Sequence, residues 1–481
     1  MPYQYNEMAL SRFWLSIILV SVTYILALLF SGHSYSIDYV VNGKKDEPLV
    51  RKEIYLNHAS PFLQDTLQKA KDHRYTSHDT LFLLENSTVK IAVGKQSTDG
   101  ILPTCKNTIL DLLLPLIAYL SFFCGILQLL IDSGASEKLA RLLSPVFIKV
   151  FPEIPANHPS ISYMMLNFAA NFLGLDSAAT PFGLKAMESL QELNTDKERA
   201  SNSQIMFMCL HAAGLTLIPT SIIGYRAAQN AQNPADVMLP CIITSFVGTV
   251  AAMVIVGIRQ RINFKSASLI LSIGGVIGLI AGLLIYINRL DLIEKNHFTN
   301  NISNVLLLGI IFLILLYSFK KEKYFEANGK NVFSSFVEGA YGGLKTGQTI
   351  FPYILGMLVA ISLFRNSGVF EIISDWLGKL FLAVGVRKDI VDAIPIAILR
   401  PFNAAGSRGF MIDSMRTYGV DSLTGRLACV FQCAAETTFY VIAVYFGSIK
   451  VKNTRYTLAS MLLVDLICAI TAVFVCLLFF K

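Results

Sequence analysis

Solid apolar blocks separated by short charged stretches dominate the chain. Uncharged runs at 13–30, 112–131, 205–225, 237–258, 266–288, 301–319 and 346–364 each reach the roughly 18 to 20 residues that a helix needs to cross a hydrocarbon core about 30 Å thick. Two more, 427–449 and 458–480, qualify except for one acid apiece, Glu436 and Asp465. The pattern excludes a membrane β-barrel, whose strands alternate polar and apolar positions over about ten residues. The uncharged run 161–175 is too short to span. It leads into the polar segment Asp176-Ser-Ala-Ala-Thr-Pro181 and then an amphipathic GLKAMESLQEL helix. Proline at an early helix position, with Ser or Asp ahead of it, marks a helix start. Residues 176–181 therefore read as the turn of a re-entrant hairpin or a broken helix.

Composition fixes the class: 54% hydrophobic and only 15% charged residues over 481 positions define a polytopic, all-α membrane protein. The first run reads as a retained helix, because it is longer than a cleaved signal core and Arg12 is the only positive charge ahead of it. All cysteines but Cys105 lie inside apolar runs, where they behave as small hydrophobes, and no CxxC occurs. Neither a disulfide framework nor a cysteine-based zinc site follows, and no cofactor is expected.

Excess Lys and Arg in short loops marks the cytoplasmic side. Arg259, Arg261 and Lys265 sit in one loop, the next balances Arg289 and Lys295 against Asp291 and Glu294, and the following one carries Lys320, Lys321, Lys323 and Lys330. Counting from these loops places the N-terminus and the Lys450–Lys452–Arg455 loop in the cytoplasm and the segment 31–107 outside. That segment is polar and mixed in charge, so it predicts a small appended element, helical or partly extended. Its histidines His33, His58, His73 and His78 read as scattered surface residues rather than a metal site.

An internal repeat organises the remainder. LPLIAYLSFFCGILQLLIDSGASEKLARLLSPVF, from Leu114, has a counterpart in FPYILGMLVAISLFRNSGVFEIISDWLGKLF, from Phe351. SAATPFG (177–183) matches NAAGSRG (403–409), and MFMCLHAAGLTLIPTSIIGY, from Met206, corresponds to VFQCAAETTFYVIAVYFGSI, from Val430. The charge count sends 205–225 outward and 427–449 inward, so the repeats are inverted. Inverted repeats with discontinuous helices are a recurring transporter design, with solute sites near the midplane. The predicted organisation is a membrane helix at 1–30, an extracytoplasmic insertion at 31–107, a first repeat domain at 108–262, connecting helices at 263–330 and a second repeat domain at 331–481.

Two long motifs carry a family resemblance. NFAANFLGLDSAATPFGLKAMESLQELN resembles spore maturation protein A, while LRPFNAAGSRGFMIDSM with CAAETTFYVIAVYFGS resembles spore maturation protein B. Together they cover most of the chain from about Leu110 onward, as though two partners were fused. The resemblance implies membrane domains of the nucleoside-recognition or gate type, found also in the membrane portion of ferrous iron transporter B and more distantly in concentrative nucleoside transporters. Cys209-Leu-His-Ala-Ala-Gly214 departs from the more hydroxyl- and amide-rich helix of the first family, and 31–107 is largely an insertion.

The candidate solute-binding residues are Asn167, Asn171, Asp176, Ser177 and Thr180 from the first half and Asn403, Ser407, Arg408, Glu436 and Thr437 from the second. A lone charge inside a membrane helix costs about 2.5 to 3.5 kcal/mol, so Glu436 needs a partner, a proton or a cavity. Arg400 and Arg408 could clamp an anion bidentately or pair with Glu436 and hairpin carbonyls. Asn167 and Asn171, four apart on one face, either satisfy broken backbone or bind solute. His211 reads as an interhelical hydrogen-bonding residue and Asp465 as structural.

No G-x-x-x-x-G-K-[ST], H-E-x-x-H or G-x-S-x-G motif occurs, so no enzyme is expected. The net charge of +7 fits loops on an anionic leaflet, not nucleic acid. The expected partners are the lipid bilayer and a small polar solute, with homo-oligomer formation left open. The two function classes are a secondary transporter or permease in the bacterial plasma membrane and a non-transporting envelope scaffold in spore-maturation-like or cell-wall processes. The charge count makes one direct prediction: tags at the N-terminus and in the Lys321 loop report cytoplasm, and a tag in 31–107 reports the outside. Proteolysis of the Lys321 loop from the outer face would overturn the inversion.

Overall fold

The fold is that of a computed structural model, which describes the chain except for residues 1, 32–36, 57–58, 71–72, 78–79, 86–87, 136–137, 139–147, 156–157, 175, 263, 265, 328, 371, 374–375, 377–378 and 380–384. Two compact units emerge. The smaller comprises Ile17–Lys106 and Val359–Ile373, and the larger Met1–Ser16, Asn107–Leu358 and Ser374–Lys481.

Helix α1 (Pro2–Phe30) is continuous. In the smaller unit it is followed by α2 (Ile37–Asn42), β1 (Gly43–Tyr55), α3 (Pro61–Lys69), β2 (Arg74–Ser77), β3 (Thr80–Glu85) and β4 (Thr88–Asp99). The strands form one antiparallel sheet in the order β1-β4-β3-β2. Ser60 caps α3 by accepting from the Leu63 amide at 3.3 Å, and Pro61 occupies its first turn, where a missing N–H costs nothing. Leu63 and Leu67 of α3 pack with Val89, Tyr75 and Phe82 as a core of their own. The expected extended element is thus a four-stranded sheet carrying one helix. His73 Nδ1 lies 3.1 Å from the Leu67 carbonyl; His33, His58 and His78 lie outside the described residues.

The larger unit is helical. Among the described residues of the whole chain, six segments are long and apolar enough to cross a membrane: Ile101–Asp132, Met238–Arg259, His297–Lys320, Val332–Asn366, Leu423–Ser448 and Thr457–Phe480, with shorter apolar helices at Trp14–Phe30 and Ile273–Asn288. The first comprises α4 (Ile101–Asn107), a π turn (Thr108–Leu113) and α5 (Leu114–Asp132). Pro115, at the start of α5, has no amide to donate, and the π turn directly before it is the adjustment that a proline imposes on a helix.

Next come α6 (Pro159–Phe172) and α7 (Asp176–Leu193), joined by a turn through Leu173 and Gly174. Gly174 has φ +76°, and a Cβ there would lie 2.3 Å from the Ile218 carbonyl oxygen, so only glycine closes this turn. The expected hairpin exists, but its turn falls earlier than read. Asp176 begins α7 and Pro181 lies inside it. The polar residues 176–181 are helix, because their backbone amides enter α7 instead of serving a loop.

The runs 205–225 and 427–449, read as continuous spans, are each broken. The first divides into α8 (Asn202–Ala213) and α9 (Thr220–Ala228), ahead of α10 (Met238–Arg259), α11 (Ala267–Asn288), α12 (Leu292–Lys320), α13 (Glu322–Ala327) and α14 (Val332–Asn366). The second half repeats the order: α15 (Lys388–Val391), α16 (Ile394–Leu399), α17 (Ala404–Tyr418), then a second broken helix, α18 (Leu423–Cys433) and α19 (Thr438–Ser448), and finally α20 (Thr457–Phe480).

Hydrogen bonds at their ends show that the two broken helices run antiparallel. Beyond the C-terminus of α19, Lys452 N donates to the Glu198 carbonyl at 2.9 Å and Ala200 N donates to the Asn453 carbonyl at 2.9 Å, just ahead of α8. At the opposite end, Arg226 of α9 donates to the Val420 carbonyl at 2.8 Å and Gln232 N to Asp421 Oδ2 at 3.0 Å, just ahead of α18. The second end is also a buried charge cluster. Asp236, 1% exposed, lies 2.8 Å from Arg226 Nη2 and 2.8 Å from Arg426 Nε, and Arg226 reaches Asp421 at 2.9 Å. A carboxylate shared by two guanidiniums offsets the loss of hydration that either would suffer alone.

Removing that carboxylate strands both arginines. Asp236→Ala should lower unfolding stability in detergent by about 3 kcal/mol or more. Lys452→Ala, which breaks the exposed 2.7 Å pair with Glu198, should leave it nearly unchanged. Denaturant melts of both variants check this.

Candidate functional site

The two breaks meet. Glu436, in the gap between α18 and α19, donates its backbone N–H to the Ala212 carbonyl, in the last turn of α8, at 2.8 Å. Within a membrane every freed backbone group needs a protein or cavity partner, and three more amides in or beside the gaps find theirs on neighbouring elements. Leu217 N donates to Phe172 O at 2.7 Å, and Phe439 N donates to Pro401 O at 3.0 Å. Thr216 N reaches Ser245 Oγ at 3.3 Å. Each gap is therefore held by the other or by the turn of a neighbouring hairpin.

Different devices make the two gaps. α8 ends on Gly214 in the left-handed conformation, and Pro219 precedes α9. The second gap, Ala434-Ala435-Glu436-Thr437, has neither glycine nor proline. There Thr438 Oγ1 donates to Asp465 Oδ2 of α20 at 2.7 Å, and Arg400 Nη1 donates to Thr437 Oγ1 at 3.1 Å. Side-chain contacts, not backbone preference, stop α18.

A cavity of about 240 Å³ lies where the gaps cross. Its walls include Asn171, Gly174 and Thr180 of the first hairpin, His211 and Thr216 of the first broken helix, Arg400 and Arg408 of the second hairpin, and Gln432 and Glu436 of the second broken helix. Arg400 Nη2 stands 3.7 Å from Glu436 Oε2, and the Glu436 side chain remains 36% exposed. Arg400 and Arg408 do not act as one clamp: Arg400 is engaged with Glu436 and Thr437, whereas the Arg408 guanidinium lies over the Tyr225 ring at 5.8 Å.

The other wall is an amide–imidazole network. Asn167, fully buried, donates from Nδ2 to the Ala179 carbonyl at 2.7 Å, which tethers the two arms of the first hairpin. That bond leaves its Oδ1 as acceptor, 3.1 Å from His211 Nδ1. The two asparagines meet at this ring nitrogen, Asn167 offering an oxygen and Asn171 an amide N–H. Asn171 approaches the same Nδ1 at 3.0 Å. The ring also packs on Tyr445, with centroids 4.9 Å apart.

Among the sequence candidates, Asn171, Thr180, Arg408 and Glu436 line the cavity. Asn167 stands behind His211, and Thr437 behind Arg400, as partners that orient them. Asn403 caps α17, its Oδ1 accepting from Gly406 N at 3.0 Å. Ser407, fully buried, donates to Gln432 Oε1 at 2.7 Å. Ser407 is scaffold for the lining, its hydroxyl spent on Gln432, whereas Asn403 holds α17 through Oδ1 and keeps its Nδ2 buried without a hydrogen-bond partner among the described residues. The side chains of Asp176 and Ser177 lie outside the described residues. Sequence reading missed Gln432 and Tyr445 as lining residues. Both sit in apolar helical stretches with no local signal, although Phe-x-Cys in the repeat brackets Gln432.

Geometry thus defines a polytopic helical membrane protein whose two antiparallel broken helices cross at a polar cavity. Residues 113–229 and 348–452 match the family described as Gate: Nucleoside recognition. The chain is 37% identical over 140 residues to spore maturation protein A of Bacillus subtilis (strain 168), covering 29% of this chain and 71% of that protein. It is 40% identical over 148 residues to spore maturation protein B of the same organism, covering 31% of this chain and 82% of that protein. No solved structure matches. The chain belongs to the nucleoside-recognition (Gate) membrane family that includes the spore maturation proteins A and B.

Packing behind His211 yields a test. A Cβ on Gly183 would lie 2.4 Å from Tyr445 Cε1 and 2.9 Å from Asn167 Nδ2. Gly183→Ala should therefore push both away from His211 at an overpacking cost of about 1–3 kcal/mol. Thermal melts should show the Gly183→Ala/Tyr445→Ala double variant losing less than the sum of the single ones; strict additivity would refute the contact.

Proposed function

We propose that the chain is a non-enzymatic secondary transporter or permease for a small polar solute, set in the plasma membrane with its N-terminus in the cytoplasm. The observation that carries this reading is the cavity at the crossing, reached by His211 from one broken helix and Glu436 from the other. Polar side chains are expensive inside a membrane unless they face one another or an aqueous cavity, and a scaffold gains nothing from keeping them there. Unwound backbone beside a polar cavity is also how transporters present solute sites near the midplane.

Alternating access needs two closures that open in turn. Polar contacts between the two halves supply one at each end of the crossed pair: the backbone strap joining 198–200 to 452–453, and the charge cluster around Asp236. Their unequal character suits the two faces. The strap is exposed and its salt bridge weak, while the cluster is buried and requires concerted separation. Rocking one half against the other would break one set and keep the second.

Glu436→Gln tests the reading. The Arg400–Glu436 contact is long and partly exposed, so losing it should cost about 1 kcal/mol or less, and the variant should insert and fold. Thermal-shift screening of the purified full chain against nucleosides, divalent metals, amino acids and small anions should find a stabilising solute for the wild type, by mass action. That stabilisation, and solute uptake into proteoliposomes, should be lost in Glu436→Gln. A variant that melts several degrees lower while the wild type responds to no solute would instead favour a scaffold locked by Glu436.

A further inference from the structure

We infer that the solute carries an oxyanion, a carboxylate or a phosphate, and that Arg408 is the residue that receives it. This inference rests on the transport reading and narrows it to a substrate class. The cavity wall carries two arginines and one glutamate. Arg400 is committed, to Glu436 at 3.7 Å and to Thr437 at 3.1 Å. Arg408 is not. Among the described residues it makes no ion pair and no side-chain hydrogen bond, and its guanidinium has only the face of the Tyr225 ring at 5.8 Å. A guanidinium held inside a membrane domain without an acid is a charge awaiting a counterion.

The neighbours of Arg408 repel cations and attract anions. Tyr225 belongs to α9, whose first residues, Thr220 and Ser221, line the same cavity. The amino end of α9, with its partial positive charge, therefore borders the cavity that Arg408 lines. Arg408 itself lies near the start of α17, which adds a second positive helix end. A planar guanidinium fork matches carboxylate or phosphate oxygens in two parallel hydrogen bonds. Glu436 lines the cavity too, and its carboxylate accepts hydrogen bonds, so hydroxyl or amine donors on the remainder of the solute would be satisfied there. The cavity thus sorts a small polar anion into an acceptor end at Arg408 and a donor end at Glu436.

The experiment uses the full-length protein in detergent and measures its melting midpoint in rising acetate, inorganic phosphate, glycerol and methylammonium, with ionic strength held constant by chloride salts. Wild type should be stabilised by acetate or by phosphate, and which of the two acts separates a carboxylate solute from a phosphorylated one. Arg408→Gln should abolish that shift, and Arg408→Lys, which keeps the charge without the fork, should retain a reduced one. An anion shift of equal size in wild type and in Arg408→Gln would overturn the assignment. Stabilisation by glycerol or methylammonium alone, lost in Glu436→Gln but kept in Arg408→Gln, would refute the anion while leaving a solute site at the crossing. A wild type that responds to none of the four, nor to any member of the wider solute screen, would overturn both readings. If Arg408→Gln fails to fold, Arg408→Lys decides alone: a shift undiminished from wild type is evidence against the fork.

Discussion

The hydrogen bond from the Glu436 amide to the Ala212 carbonyl is the contact on which the membrane domain turns. A broken helix exposes backbone donors and acceptors where no lipid can satisfy them, and each would cost several kcal/mol if left alone. Two breaks placed against each other convert that liability into a joint. Everything adjacent follows from it. Phe172 and Pro401 must bring their carbonyls close to serve Leu217 and Phe439, which draws both hairpins inward. Gly174 must be bare to let the Ile218 carbonyl pass. The side chains that flank the gaps, His211 and Glu436, are then left facing the space between.

Much of this was legible in the chain and some was not, for identifiable reasons. Apolar run length located the spans because lipid imposes a length on any helix that crosses it. The first break has a backbone signature, Gly214 and Pro219, yet it lies within an unbroken apolar run, and run length alone reads through it. The second break has no such signature. Its only mark is Glu436, a charge in mid-run, because the interruption is enforced by partners distant in sequence, Asp465 on Thr438 and Arg400 on Thr437. Hairpin turns were displaced by a few residues since polar side chains near Asp176 mimic a loop while their backbone is helical. Gln432 and Tyr445 were invisible, as a residue's exposure to a cavity depends on packing that no local pattern records. Pairing of Arg400 with Glu436 stood among the alternatives because both charges were anomalous; that Arg408 stays apart required the geometry.

Charge is distributed unequally along the crossed pair. At the end that joins α9 to α18, Arg226, Asp236, Asp421 and Arg426 are buried or nearly so, and no member can leave without stranding another. At the end that joins α8 to α19, the ion pair of Lys452 and Glu198 is open to solvent, and backbone hydrogen bonds carry the contact. Separating the first end requires hydration of several charges at once. Separating the second exchanges backbone hydrogen bonds for water at small net cost. The charged end is therefore the harder of the two to separate.

Both halves contribute to each end of the crossing and to the bond at its centre, so neither half can form the crossing by itself. The chain matches the same family over two separate stretches, and its relatives A and B are two proteins that each match part of it. Joining the stretches in one polypeptide through α11 and α12 makes their docking an intramolecular event. The linkage also fixes stoichiometry at one half to one half, which an antiparallel crossing of unlike partners requires. Packing confirms that the connecting helices belong to the domain and do not merely tether it: α11 and α12 lay Leu283, Leu284, Ile302 and Leu306 against Leu239 and Ile243 of α10 and Val475 and Phe479 of α20. The helix that closes the first half and the helix that closes the second therefore share one apolar cluster with the linker.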